Sequence, residues 1–309
     1  MILGGPTMGV SWSLRARAPA DVPEGVLSAV VQDVCDTVVA QMSAWEPDSD
    51  INRYKHAAAG SWVEVPAYLL TVVRAALDVA ELSGGAFDPT VGPLVDLWGF
   101  GPAGAVTAEP APSALCAAEI GWRGVGVDAE RGRIFQPGGL SLDLSGIAKG
   151  FAVDLAGAAL EDLGVRDYLL EVGGELKGGG VKGDGEPWWV EIESPPESNL
   201  AEPAILVALH GLSIATSGDW RRTWSAGARR YSHTVDPAIR APVDGGVAAV
   251  SVLHAECMQA DALCTVLTVL GPGAEDFARR YQIAAQIIRR TPCDGFREWV
   301  SPALASLLD

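Results

Sequence analysis

The sequence has no long apolar run. A membrane-spanning helix needs about 18 or more consecutive apolar residues, and no such stretch occurs among the 309 residues. The N-terminal segment Met-Ile-Leu-Gly-Gly-Pro also has neither the basic region nor the apolar region of a signal peptide. We therefore expect no transmembrane segment and a cytoplasmic location for the chain as given. The alternative is a periplasmic or envelope-anchored location if a leader has been removed.

Basic residues are scarce. The chain has 22 lysines and arginines against 39 aspartates and glutamates, for a formal net charge of −17. Such a body repels a polyanion, so we expect no nucleic-acid partner. An anionic small molecule can still bind, but it needs a metal ion, helix N-termini or local cationic groups.

Cysteine pairs are absent as well. The five cysteines include no Cys-x-x-Cys pair, and their number is odd, which argues against a full disulfide framework and against a zinc site. We expect them to be small buried side chains. They are Cys35, Cys116, Cys257, Cys264 and Cys293.

What the sequence does contain is a series of segments with clear periodicity. Apolar residues at helical spacing predict helices over 26–42, 66–82, 147–163 and 258–270. Short strands separated by glycine-rich turns are predicted over 168–172, 188–193, 204–209, 232–235 and 247–253. Helices dominate the first half and strands the second, which favours an α+β fold. The length fits one large domain or two closely joined lobes.

Asp261 and Thr265 lie four residues apart in a predicted helix and therefore share one face. A carboxylate and a hydroxyl are hard oxygen ligands of the kind that Mg²⁺ accepts, together with water and phosphate oxygens. The alternative is a structural pair, with the threonine bonded back to its own helix. Spacing alone favours the structural pair.

A second candidate is the segment 143–150, Asp-Leu-Ser-Gly-Ile-Ala-Lys-Gly, at the start of a predicted helix. Free N–H groups and the helix dipole attract phosphate at such a position. Lys149 in the first turn is unfavourable for the helix itself and so indicates a nearby anion. The alternative is an ordinary N-cap with an exposed lysine.

A third candidate is the segment 84–102, which is rich in glycine, proline and aromatic residues. It is too punctuated for a helix or a long strand. Its glycines let the backbone approach a ligand, and Phe87 or Trp98 could contact a flat ring system. The alternative is a packed Ω-type loop.

His233 lies on the predicted strand 232–235, which leads into an Asp236-Pro237 turn. It could act as a general base with Asp236 nearby, but a histidine bonded to backbone is the more common case.

Two further patterns are weaker evidence for a functional site. Gly178, Gly180 and Gly183 match G-x-G-x-x-G but lead into a strand rather than the helix that a dinucleotide fingerprint requires, so we interpret them as a turn. The arginines between 221 and 240 are either a solvated loop face or a phosphate-steering cluster.

Taken in order, these segments resemble the ApbE family of FAD:protein FMN transferases over roughly residues 5–272. The matching motifs are Thr7-Met8-Gly9, 42–43 with 47–53, 85–94, 97–101, 142–154, 172–175, 215–218, 233–237 and 260–265. Motifs so numerous and in this order are far more specific than any one of them.

The resemblance implies an enzyme that cleaves the pyrophosphate of FAD in a Mg²⁺-dependent reaction. It would attach FMN through a phosphoester to a Thr or Ser of an acceptor flavoprotein and release AMP. The implied fold is an ApbE-like, T-fold-like α+β architecture, with a helix-rich first half packed with a mainly antiparallel, strand-rich second half and the flavin site between lobes. Residues 1–309 would form a single domain, or two intimately packed lobes.

The resemblance also implies roles for individual residues. The metal ligands would be Asp261, Thr265 and the backbone carbonyl of Gly146, and His233 would help to activate the acceptor hydroxyl. With the metal that it holds, Asp261 would also take part in catalysis. The flavin contacts would be Met8, Ala86, Phe87, Asp88, Asp143 and Lys149.

Two other functions remain open from the sequence. One is an FAD pyrophosphatase that releases FMN and AMP without an acceptor, and the other is a flavin carrier that does no chemistry.

Overall fold

The computed structural model describes residues 1–198, 200, 204–227, 229–244, 246–291 and 295–308. The strands, in chain order, are β1 (Ile2–Thr7), β2 (Val10–Arg17), β3 (Ser61–Glu64), β4 (Gly126–Asp128), β5 (Arg133–Gln136), β6 (Asp167–Val172), β7 (Glu175–Gly179), β8 (Trp188–Glu191), β9 (Leu206–Leu209), β10 (Leu212–Gly218), β11 (Thr223–Ala226), β12 (Arg229–Ser232), β13 (Val235–Asp236), β14 (Ala241–Pro242), β15 (Val247–His254), β16 (Ala284–Arg290) and β17 (Phe296–Val300). The α-helices are α1 (Glu24–Met42), α2 (Asp50–Lys55), α3 (Ala67–Leu82), α4 (Gly92–Leu97), α5 (Pro112–Ala117), α6 (Ala148–Asp162), α7 (Cys257–Leu270), α8 (Ala274–Arg280) and α9 (Pro302–Leu308).

The four predicted helices correspond to α1, α3, α6 and α7, and the α+β class with mainly antiparallel sheet is confirmed. Two local predictions were wrong. The segment 232–235 is not one strand, because β12 ends at Ser232 and β13 begins at Val235. The segment 84–102 contains the short helix α4, which starts at Gly92 with a proline in its first turn. In addition, β1 and β2 form an opening hairpin that the sequence patterns did not indicate.

The chain groups into two compact units. The first unit comprises Met1–Thr37, Ile147–Gly218 and Gly246–Asp309, and the second comprises Val38–Gly146 and Asp219–Gly245. The chain therefore crosses between them several times, once within α1 and once at the peptide bond that joins Gly146 to Ile147.

The first unit is built on one antiparallel sheet. Within the described residues this sheet has eight strands in the order β1-β2-β6-β7-β10-β15-β16-β17. Successive residues of a strand face opposite sides, and in β10 Ile214 and Ala215 belong to different core clusters. Helices α6 and α7 contact each other and the sheet. Strand β15 is buried along almost its whole length, as expected of a strand that is covered on both faces.

The second unit contains α3, several short helices and small sheets. Its sheets are β3-β5-β4, β11-β12 and β13-β14, all antiparallel. One face of α3 is buried, including Leu69, Val72 and Val79. The helix ends where the chain turns at Gly84 and Gly85, both with positive φ.

Among the described residues, no helix combines the length and the apolar character needed to span a bilayer. Cys35, Cys257 and Cys264 are buried free thiols, as predicted, whereas Cys116 is exposed. Cys293 lies outside the described residues.

Candidate active site

Helix α7 carries the two predicted metal ligands of the first unit. Asp261 is in its second turn and is only 3% exposed, and Thr265 follows one turn later and is half-buried. Residues four apart lie on the same face of a helix. The carboxylate and the hydroxyl therefore belong to one side of α7, as the spacing predicted.

Helices α6 and α7 lie very close together at Gly150. A Cβ atom on this glycine would lie 2.3 Å from the carbonyl oxygen of Cys257 and 2.8 Å from the Cα of Met258. No larger side chain fits there unless α7 moves. The close approach allows the Gly150 N–H, one of the donors that a first turn leaves without a helical partner, to donate to Asp261 Oδ2 at 3.1 Å. The carboxylate is thereby held in one orientation.

Lys149, in the same first turn, contacts two carboxylates. Its Nζ donates to Glu175 Oε1 at 2.5 Å and lies 3.7 Å from Asp261 Oδ1. The lysine side chain is 27% exposed, and each carboxylate side chain is 5% exposed. Lys149 and Asp261, which the sequence placed in separate motifs, are thus brought together in the first unit.

The three charged groups shift one another's protonation. Burial would lower the pKa of Lys149, but the charges of Asp261 and Glu175 outweigh it and raise the pKa above its usual value. Burial raises the pKa of Glu175 to about 7 against the opposing effect of Lys149. Burial also raises the pKa of Asp261, opposed by Lys149 and by the Gly150 N–H. Two carboxyl groups thus share one ammonium, an arrangement that favours the addition of a further positive charge.

Glu175 was not predicted as a site residue, although its motif formed part of the family resemblance. It begins β7 directly after Gly173 and Gly174, whose φ angles of 64° and 107° make the tight turn from β6. It is 4% exposed. The sequence did contain a signal for it: an acidic residue directly after two glycines, between two apolar strands. An acidic residue in such a place is buried only when it has a partner, so the pattern points to a nearby cation.

Met8 lies in the two-residue turn between β1 and β2. Its φ is 49°, and that of Gly9 is 70°, the pattern of a hairpin turn with two left-handed residues. A left-handed conformation is uncommon for methionine and is often found at ligand sites. The side chain packs partly against the core of the first unit.

In the second unit, Asp88 organises its own loop. Its Oδ1 accepts hydrogen bonds from the Thr90 N–H at 2.8 Å and from the Thr90 hydroxyl at 2.6 Å. The Thr90 Oγ1 in turn accepts from the Gly121 N–H at 2.7 Å. Asp88 and Thr90 are both buried, so at least one carboxylate oxygen of Asp88 is used in hydrogen bonds that hold the loop together.

Asp143 is joined to the same loop. Its N–H donates to the carbonyl of Pro89 at 2.8 Å, and its Oδ1 accepts from the Ser145 N–H at 2.8 Å, in the manner of an Asx turn. The predicted flavin-contact segments 86–88 and 143 are therefore neighbours in the second unit. Phe87 is 4% exposed and Ala86 is half-buried, so the Phe87 ring packs within the protein.

His233 follows β12 in the second unit and is half-buried. The carbonyl of the next residue, Thr234, accepts from the Val243 N–H at 2.9 Å. Asp236 accepts from the Ala238 N–H at 2.8 Å, so this carboxylate closes the turn between β13 and β14. A role for His233 as a base stays a prediction.

The aromatic and basic residues near His233 are largely engaged with one another. Trp98 is 4% exposed, and its indole N–H donates to the Arg240 carbonyl at 3.0 Å. The ring of Trp98 packs against those of Trp224 and Tyr231. Arg240 donates to backbone carbonyls. Trp98 is therefore part of the second unit's core rather than an open platform for a ring system.

No group of three or more histidine, cysteine, aspartate and glutamate side chains gathers as a metal centre in the part of the chain that the structure describes. The predicted ligand set has a different composition: one carboxylate, one hydroxyl and one backbone carbonyl. Gly146, the predicted carbonyl donor, is half-buried in the turn that precedes α6.

Comparison with known proteins agrees with the motif analysis. A family model described as the ApbE family matches residues 8–287. An FAD:protein FMN transferase of Vibrio cholerae is 34% identical over 99% of this chain and 92% of its own length. One of Klebsiella pneumoniae is also 34% identical, over 99% of this chain and 89% of its own length.

Solved structures give the same result. The apo form of the Pseudomonas stutzeri flavinyl transferase ApbE superimposes with a TM-score of 0.92 at 36% identity, covering 100% of this chain and 96% of that one. The flavin transferase ApbE from Vibrio cholerae gives a TM-score of 0.91 at 34% identity, covering 100% of this chain and 99% of that one.

Proposed function

This chain belongs to the ApbE family, and on that premise we propose that it transfers the FMN half of FAD to a Thr or Ser hydroxyl of an acceptor flavoprotein. The observation that carries the proposal is the contact of the Lys149 ammonium with the buried carboxylates of Glu175 and Asp261, with Thr265 one turn beyond on α7. A chain with a net charge of −17 needs a metal ion or a local cationic group to bind a pyrophosphate, and these side chains offer a carboxylate to hold a metal and an ammonium to face a phosphate.

The residues fit a magnesium ion. Asp261 and Thr265 offer hard oxygen atoms on one helix face, and Mg²⁺ takes few protein oxygens while keeping waters and substrate phosphates. Gly146 would add its backbone carbonyl. When bound, the ion supplies charge neutralisation at the phosphoryl oxygens, which is worth several kcal/mol in the transition state.

The transfer is a phosphoryl substitution. The acceptor hydroxyl oxygen forms a bond to the FMN phosphorus, the bond from that phosphorus to the bridging oxygen breaks, and AMP leaves with the electron pair. His233 would take the hydroxyl proton, and the Lys149 ammonium would stabilise the negative charge on the phosphates. Reactions of this type depend chiefly on alignment and on electrostatic stabilisation.

The remaining proposed residues would bind the flavin. These are Met8, the segment 86–88 and Asp143, in addition to Lys149. The left-handed turn at Met8 and the bond from Asp143 to the Pro89 carbonyl support fixed positions for these groups.

The experiment is mass spectrometry of an acceptor flavoprotein after incubation with this protein, FAD and MgCl₂. We expect the acceptor to gain the mass of FMN at one Thr or Ser, with release of AMP. Asp261→Asn should reduce the rate by about a thousandfold or more, because the loss of a metal-held charge is worth several kcal/mol. The matched control is Asp276→Asn, whose side chain is 90% exposed and should leave the rate unchanged.

The other outcomes separate the alternatives. Rapid release of FMN and AMP from FAD without an acceptor would replace the transferase with a pyrophosphatase, and unchanged FAD in all mixtures would indicate a carrier. A wild-type rate for Asp261→Asn would refute the metal assignment. His233→Gln should lose transfer while FAD binding, followed by flavin fluorescence, is retained.

A further inference from the structure

Glu175 lies beside the proposed metal ligands but is not one of them, so its burial there needs a separate explanation. It is 4% exposed, and one of its two oxygens binds Lys149 at 2.5 Å. The other, Oε2, is buried and has no hydrogen-bond partner among the described residues. A buried polar atom without a partner is rare and commonly marks the place of a ligand, an ion or a water molecule.

The turn before Glu175 guides the lysine to it. A Cβ atom added to Gly173 would lie 3.4 Å from Lys149 Cδ, so the hydrocarbon stem of the lysine passes close to the turn. The positive φ of Gly173 is a conformation that glycine adopts without strain. The stem thus runs beside the turn, and the ammonium contacts the first residue of β7.

The ammonium lies between two competing carboxylates. It is 2.5 Å from Glu175 Oε1 and 3.7 Å from Asp261 Oδ1. A charge-assisted hydrogen bond needs about 2.8 Å, so a movement of roughly 1 Å would bond the lysine to Asp261 instead. A lysine bonded in that way would neutralise the carboxylate on which the proposed cation depends.

We propose that Glu175 is a positioning residue that retains the Lys149 ammonium at β7 and so keeps the Asp261 carboxylate available to a divalent cation. Lys149 then stays close enough to face a phosphate without displacing the metal. This inference rests on the proposed function, because it takes Asp261 to be a cation ligand.

The test is the uptake of Mn²⁺ by the protein without FAD, measured from the electron paramagnetic resonance signal of the free ion. In Glu175→Gln the lysine is released to Asp261, and we expect the dissociation constant for Mn²⁺ to rise about ten- to a hundredfold, the range for the loss of one charge-assisted hydrogen bond. In Lys149→Gln no ammonium is left to compete. The double variant Lys149→Gln with Glu175→Gln should therefore bind Mn²⁺ within about threefold of Lys149→Gln, since that difference is below 1 kcal/mol.

This double-mutant cycle separates the positioning of Lys149 by Glu175 from direct electrostatic attraction between Glu175 and the cation. If the Glu175 charge acts only by attracting the cation, Glu175→Gln weakens Mn²⁺ binding equally with and without Lys149, and the proposal is overturned. Glu171→Gln is the matched control, because it removes one carboxylate from the neighbouring strand β6 of the same hairpin, where the partner is the Ser13 hydroxyl. It should shift the dissociation constant less than threefold.

The remaining outcomes are also decisive. Unchanged Mn²⁺ affinity in folded Glu175→Gln overturns the inference, and circular dichroism of each variant establishes folding. Wild-type protein that takes up no Mn²⁺ overturns both the cation assignment and this inference. FMN transfer by that protein would leave the transferase proposal standing.

Discussion

The contact between α6 and α7 at Gly150 allows a quantitative prediction. In Gly150→Ala the new methyl group would lie 2.3 Å from the Cys257 carbonyl oxygen, whereas a normal contact is about 3.5 Å. The first turn of α7 must therefore move by roughly 1 Å, the difference from that normal contact. Overpacking of this kind costs about 1–3 kcal/mol. Loss of the Gly150 N–H bond to the Asp261 carboxylate adds about 1.5–3 kcal/mol.

One effect acts in the opposite direction. Alanine favours a helix over glycine by about 1 kcal/mol, so the net destabilisation should be about 1.5–5 kcal/mol. For a chain of 309 residues, with an unfolding entropy of about 2.1 cal/mol/K per residue, that corresponds to a melting temperature lowered by roughly 2–8 °C. The displaced Asp261 should also weaken Mn²⁺ uptake.

Thermal unfolding, followed by circular dichroism, measures the expected decrease in melting temperature. The control is Gly25→Ala in α1, where nothing lies within 4 Å of the added Cβ. This variant should melt at or slightly above the wild-type temperature, because it gains helix propensity without a clash. A Gly150→Ala protein that melts like the Gly25→Ala control and binds Mn²⁺ like wild type would refute the close packing that we describe.

Two further predictions concern the second unit. Asp88→Ala leaves the buried N–H and hydroxyl of Thr90 without their acceptor and should lower the free energy of unfolding by about 2–4 kcal/mol. Asp88→Asn keeps an acceptor oxygen and should lose less than half as much in urea denaturation, so equal losses would argue against this hydrogen-bond role. Trp98→Phe removes the indole donor of a 3.0 Å hydrogen bond and part of a packed ring, and should cost about 1–3 kcal/mol. A variant with wild-type stability in the same assay would show that the aromatic cluster does not stabilise this unit.

The sequence by itself determined the long helices and the residue types of the site. The faces of α1, α3, α6 and α7 follow from local periodicity, which depends only on 3.6 residues per turn. For the same reason the spacing of Asp261 and Thr265 placed both on one helix face. The order of the motifs then identified the family, which the comparisons confirm.

Only the tertiary structure decided what these groups contact. The hydrogen bond from Gly150 to Asp261 joins residues 111 positions apart, and the one from Lys149 to Glu175 spans 26 positions. Both depend on how two helices pack on the sheet and on where the β6–β7 turn lies, and local patterns carry no information on either. The structure also showed that Asp88 and Asp143 make hydrogen bonds within their loops. The sequence could not show this, because it does not indicate whether a carboxylate binds a ligand or a backbone N–H group.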